Sequence, residues 1–242
     1  MLAFLNAPVA VAYHVVFALS VFLAPLIGGL ATAGAIIVFT LAVRLLLSPL
    51  SFAALRGQAR ITALQPRIGE LRARYARQPE RLQRELSALY AAEGGGLLAG
   101  CLPLLLQLPF FSIVYRLLES ATVAGGANVL LAKRLLAAPL GSHWLTGAGP
   151  LSLQGLVFLG LFALIAAVCL AVTRVTRNAA PAPATGKLIT GALPYLTVVV
   201  AAFVPLAAGL YLLTSTAWTA AERAIWRRRT RAVGQVPASM AG

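Results

Sequence analysis

Acidic residues are scarce in this 242-residue chain: six in all, every one a glutamate, against twenty Lys and Arg. Charged residues make up 11% of the sequence, whereas a soluble domain carries about 25%. The two cysteines, Cys101 and Cys169, give neither a metal-ligand spacing nor a disulfide framework, and read as small reduced core residues. There is no Walker loop, no HExxH, no GxSxG and no pair of carboxylates within an apolar run. Ser48 and Ser51 lack a base, because His14 and His143 both fall in segments assigned to the other side of a membrane. These absences exclude a soluble globular domain, and they argue against catalysis, a cofactor or a metal site.

What the chain has in abundance is apolar surface: 60% hydrophobic residues and a mean hydropathy of +0.87. That implies an all-α, polytopic membrane protein. A net charge of +14 would suggest nucleic acid for a soluble protein, but here position matters more than total. Sixteen of the twenty basic residues fall within 56–84, 174–187 and 223–231, which the positive-inside rule makes cytoplasmic.

Residues 30–52 form the first expected span, long enough at about 35 Å to cross a bilayer core of about 30 Å. It carries one full charge, Arg44. Thr40, Arg44, Ser48 and Ser51 are spaced four, four and three apart, so they share one helical face. An arginine at the helix centre costs about 2.5–3.5 kcal/mol on insertion scales, so this face should look into a bundle and toward water. Snorkelling of Arg44 to the cytoplasmic interface is the competing reading.

The remaining organisation follows in order. Residues 1–26 read as an amphipathic helix at the outer interface, set off by Pro25, Gly28 and Gly29. Residues 53–96, with eight Arg and four Glu, read as a cytoplasmic helical hairpin broken at Gln78-Pro79. A kink is expected at Pro66 and a helix start at Pro79. Then come a span at 97–118, an extracytoplasmic loop at 119–150, a span at 151–173 and a cytoplasmic loop at 174–186. Two closely joined spans, 187–204 and 205–226, turn near Pro205, and a basic cytoplasmic tail occupies 227–242. Five spans place the N-terminus outside and the C-terminus inside. Tyr211, Ser215, Thr219 and Glu222 form a second polar stripe, a candidate to face the first.

Several stretches carry a family resemblance: RLLLSPL at 44–50, ALQPRIGELRARY at 63–75, LYAAEG at 89–94 and GCLPLLLQLPFFSIVY at 100–115. With a weaker match, PLAAGLYLLTS at 205–215, they resemble the YidC/Oxa/Alb family of membrane protein insertases. The resemblance implies a bacterial plasma-membrane insertase and chaperone that works without nucleotide hydrolysis. Its hydrophilic groove would centre on Arg44 and include Thr40, Ser48, Ser51 and Gln107. Leu108, Phe111 and Tyr211 would form the apolar side along which a client helix slides. The implied partners are nascent membrane proteins and lipids, with the Sec translocon and the ribosome as further candidates. The family's Asn-Pro ahead of the Gly-Cys motif is Gly96-Leu97 here, and its aromatic residue after the position of Tyr211 is Leu212. The alternative functions are a small-solute transporter or channel with an anion site at Arg44, and an assembly factor that only chaperones folding.

Overall fold

The computed structural model describes residues 6–92, 112–120, 122–123, 125–145, 149, 151–177 and 195–234. The described chain is mostly helical. Helix α1 spans Asn6–Ile27, a short 3-10 turn follows at Gly28–Leu30, and α2 runs unbroken over Ala31–Ala63. Then come α3 (Gln65–Arg74), α4 (Pro79–Ala92) and α5 (residues 112–119). Two small ribbons flank a single helical turn: β1 (Thr122–Val123) with β2 (Gly126–Ala127), α6 (Val129–Ala132), and β3 (Arg134–Leu135) with β4 (Ala138–Pro139). Helices α7 (Leu153–Arg177), α8 (Leu196–Phe203) and α9 (Leu206–Gly234) complete the order.

Among the described residues, two helical stretches are long and apolar enough to cross a membrane, Asn6–Gly57 and Leu153–Arg174. The expected span at 97–118 lies largely outside the described residues, and of that at 187–204 only residues 195–204 are described, with α8 at Leu196–Phe203. Helix α9 is more polar, yet three of its threonine hydroxyls turn to its own backbone: Thr214 donates to the Leu210 carbonyl, Thr216 to Leu212 and Thr219 to Ser215. Satisfied in this way, Ser and Thr are tolerated in a membrane helix.

The chain forms two compact units, Met1–Leu46 with Phe111–Ala224, and Leu47–Phe110 with Ile225–Gly242. In the first, α1 buries a stripe of Val9, Ala12, Val16 and Ser20, spaced three, four and four. Its other face exposes Val11, Val15, Phe22 and Leu26, an apolar surface suited to lipid. Helix α1 packs on β1, α7 packs on β4 and α8, and β3 lies against the 3-10 turn. Gly34 lets α1 approach α2 closely, since a Cβ there would come within 2.7 Å of the Ile27 side chain. Gly209 does the same for α9 against Leu161 of α7, at 2.6 Å.

The segment 131–142 is seated on the start of α9. A helix leaves its first amides without internal partners. Here the Leu206 amide donates to the Ser142 carbonyl at 2.9 Å and the Ala207 amide to Leu140 at 2.8 Å. Pro205, just before, has no amide to satisfy. Trp144 packs edge-on against Phe162, 5.4 Å between ring centroids, and beside Phe158 at 6.0 Å, both on α7.

In the second unit, α3 packs against α4, and Ile68 is the buried anchor of α3. Pro66 stands in the first turn of α3, and the helical path from α2 is interrupted just ahead of it at the single residue Leu64, the place of the expected kink. Proline lacks the amide that an initiating turn leaves unpaired, so both Pro66 and Pro79 sit where helices begin. Phe52 and Trp226 bring their rings within 6.4 Å in this unit.

Candidate functional site

Arg44 lies in the middle of α2, half-buried, and its Nη2 donates a hydrogen bond to Ser215 Oγ on α9. The polar stripe of α9 thus supplies a partner for the one charge in the apolar stretch 30–52. Ser215 accepts this bond as a neutral group and orients the guanidinium. One turn earlier on α9, buried Tyr211 hydrogen-bonds with Ser215 and lies in the field of Arg44. The three side chains form one group, Arg44–Ser215–Tyr211.

Tyr211 also borders an apolar cavity of about 150 Å³, lined by Tyr115, Leu118, Val200, Val204, Ala208 and Leu212 as well. A guanidinium and an apolar slot therefore meet at one tyrosine. The small Ala208 opens this slot on α9, while the break at Val204-Pro205 turns Val200 and Val204 of the preceding stretch toward it.

The other residues expected in the site are placed differently. Thr40 is fully buried, and its hydroxyl donates to the Ile36 carbonyl of its own helix at 2.7 Å. It packs rather than presents a polar surface. Ser48 and Ser51 continue along α2 into the second unit, both half-buried. Gln107, Leu108 and Phe111 lie outside the described residues. Ser215, Leu118, Val200, Val204 and Ala208 were not among the expected site residues. The second polar stripe did point to Ser215, whereas single apolar residues carry no signal that separates a slot from ordinary packing.

Among the described residues, no three or more His, Cys, Asp and Glu side chains converge to hold a metal. The chemistry available is that of a fixed cation beside an apolar surface. It can attract a carboxylate and accommodate a hydrophobic segment next to it.

A family model described as the 60Kd inner membrane protein matches residues 22–233. The membrane protein insertase YidC of Wolinella succinogenes is 36% identical over 97 residues, 40% of this chain and 18% of the relative. That of Helicobacter pylori is 40% identical over 87 residues, 36% of this chain and 16% of the relative. That of Chlamydia trachomatis is 39% identical over 95 residues, 39% of this chain and 12% of the relative. In each case the match spans less than a fifth of the relative's own length. The family model, by contrast, covers most of this sequence, and the chain belongs to the 60Kd inner membrane protein family, the YidC/Oxa group of membrane insertases.

Proposed function

We propose that this chain is a membrane protein insertase and chaperone of a bacterial inner membrane, acting through a hydrophilic groove centred on Arg44 and without nucleotide hydrolysis. The observation that carries the reading is the Arg44–Ser215–Tyr211 group beside an apolar cavity. It supplies both things a client's leading segment needs: a counter-charge for an acidic tail and a greasy surface for the span that follows.

The charge of a client carboxylate 4 Å from Arg44 is worth about 4 kcal/mol at an effective dielectric of 20, before desolvation. Bringing an aspartate to mid-membrane depth costs about 2.5–3.5 kcal/mol on insertion scales. The two are of one size, so the tail can enter without being trapped. Partitioning of the following apolar span into lipid then drives release.

In this reading Arg44, Ser48, Ser51 and Gln107 wet the groove, and buried Thr40 marks its closed end. Leu108, Phe111 and Tyr211 offer the sliding surface. Five spans with an outer N-terminus and a cytoplasmic C-terminus follow from the distribution of basic residues. The charged hairpin at 53–96 would meet clients on the cytoplasmic side. Clients are nascent membrane proteins, and the Sec translocon and the ribosome are candidate collaborators.

The test is reconstitution of the purified chain in phosphatidylethanolamine/phosphatidylglycerol liposomes with a single-span client bearing a short acidic tail. Protease protection of the tail should rise well above that in protein-free liposomes. Equal protection in both would contradict an insertase.

A further inference from the structure

Away from the Arg44 group, the first unit holds a second and more polar cavity, of about 540 Å³. Its size falls within the roughly 300–1,000 Å³ of ligand-binding sites. Three elements build it. The start of α1 brings Asn6 and Val9, the end of α5 and the residue after it bring Arg116 and Ser120, and the first ribbon brings Thr122 and Val123. Packing of α1 on β1 holds the two outer walls together. Gly125, with φ of +81°, makes the tight turn that folds β1 back on β2 along the cavity edge.

We propose that this cavity binds the phosphate of a lipid headgroup. Arg116 gives its lining a positive charge, and no carboxylate is among the lining residues described. A planar guanidinium suits phosphate oxygens, which it binds through two parallel N–H donors. The Ser120 and Thr122 hydroxyls and the Asn6 amide add donors to the same space. Val9 and Val123 supply an apolar wall for the glycerol and the first acyl carbons.

The depth fits as well. Arg116 lies where the apolar run 97–118 ends, so a span over that run would put the cavity at headgroup level. A site at that level meets phosphodiesters at bilayer concentration, which favours lipid over free phosphate as the occupant.

Native mass spectrometry of the full chain in detergent, titrated with phosphatidylglycerol, tests the site. The wild-type chain should retain one lipid tightly, and Arg116→Gln should weaken that binding at least about tenfold, with Arg116→Lys between them. Lys133→Gln removes an exposed charge from the same loop region without touching the cavity, and should leave binding unchanged. Should Arg116→Gln fail to fold, the Ser120→Ala/Thr122→Val double variant replaces it, with a weakening of about threefold or more expected. Competition by millimolar inorganic phosphate, lost in Arg116→Gln, would keep the phosphate chemistry and assign the site to the free anion. Equal lipid retention by wild type and Arg116→Gln, or an equal loss in Lys133→Gln, overturns the proposal. None of these readings depends on insertase activity.

Discussion

Arg44 on α2 and Ser215 on α9 are 171 positions apart in sequence and are joined by a direct side-chain hydrogen bond. The bond ties the charged helix to the last helix where the sequence has most to lose from a misplaced charge. A hydrogen bond to an ionised group contributes about 1.5–3 kcal/mol when its alternative is an unsatisfied donor. Ser215→Ala should therefore lower the thermal unfolding temperature of the detergent-solubilised protein by several degrees, while Ser215→Thr, which keeps the hydroxyl, should largely spare it. An unchanged melting temperature for Ser215→Ala would show that the bond contributes nothing to stability.

Much of this was legible in the sequence, for physical reasons that can be named. Proline marks helix starts and breaks, so Pro79 and Pro205 located two of them. The kink expected at Pro66 takes the form of a one-residue interruption at Leu64, two residues ahead of the proline, which an amphipathic pattern alone does not locate. Charge in an apolar run singled out Arg44, and helical spacing led to the stripe containing Ser215. The burial of Thr40 was not legible: a threonine on a polar face reads as polar, whereas its hydroxyl can be satisfied within the helix. The segment 119–150 read simply as an extracytoplasmic loop. Its ribbons are two residues per strand, too short for alternation to register, and its seat on α9 is made by backbone groups that any sequence carries.

Asn128 pins that segment to α5. Its buried side-chain amide donates to the carbonyls of Leu117 at 2.7 Å and Ser120 at 3.0 Å, closing the C-terminal end of the helix. Asn128→Ala leaves both carbonyls short of a donor and should destabilise the protein by about 1–3 kcal/mol. Asn128→Asp should do worse, since a carboxylate cannot donate to either. Thermal unfolding of the two variants ranks them; a milder effect for the aspartate would contradict this assignment of donors.

Leu136 adopts a φ of +54° in the turn between β3 and β4, and its side chain is exposed. A non-glycine residue there costs about 1–2 kcal/mol of backbone energy, and little packing is lost by replacing it. Leu136→Gly or Leu136→Asn should therefore raise the unfolding temperature slightly. A fall would mean that the leucine side chain contributes contacts that outweigh its backbone.

Gly141 has no room for a side chain. A Cβ would stand 3.0 Å from Leu131 Cβ and 3.2 Å from the Leu131 carbonyl oxygen, atoms held by the Gly141 amide's own bond to that carbonyl. Gly141→Ala should cost about 1–3 kcal/mol as an overpacked site. Gly160→Ala on α7, where nothing lies within 4 Å, should be neutral or stabilising by up to about 1 kcal/mol. Similar losses at both positions would contradict the close approach at Gly141.

The claim on which the account turns is that the charge of Arg44 draws client tails into the membrane. The direct measurement is the initial rate of tail protection in proteoliposomes holding equal amounts of wild type, Arg44→Lys and Arg44→Ala, with an acidic-tailed client and a neutral-tailed one. Losing an attraction of a few kcal/mol should slow the acidic-tailed client at least about tenfold in Arg44→Ala, while Arg44→Lys retains most of the rate. The neutral-tailed client should respond far less. Equal rates for Arg44→Ala and wild type with the acidic-tailed client would contradict the groove mechanism.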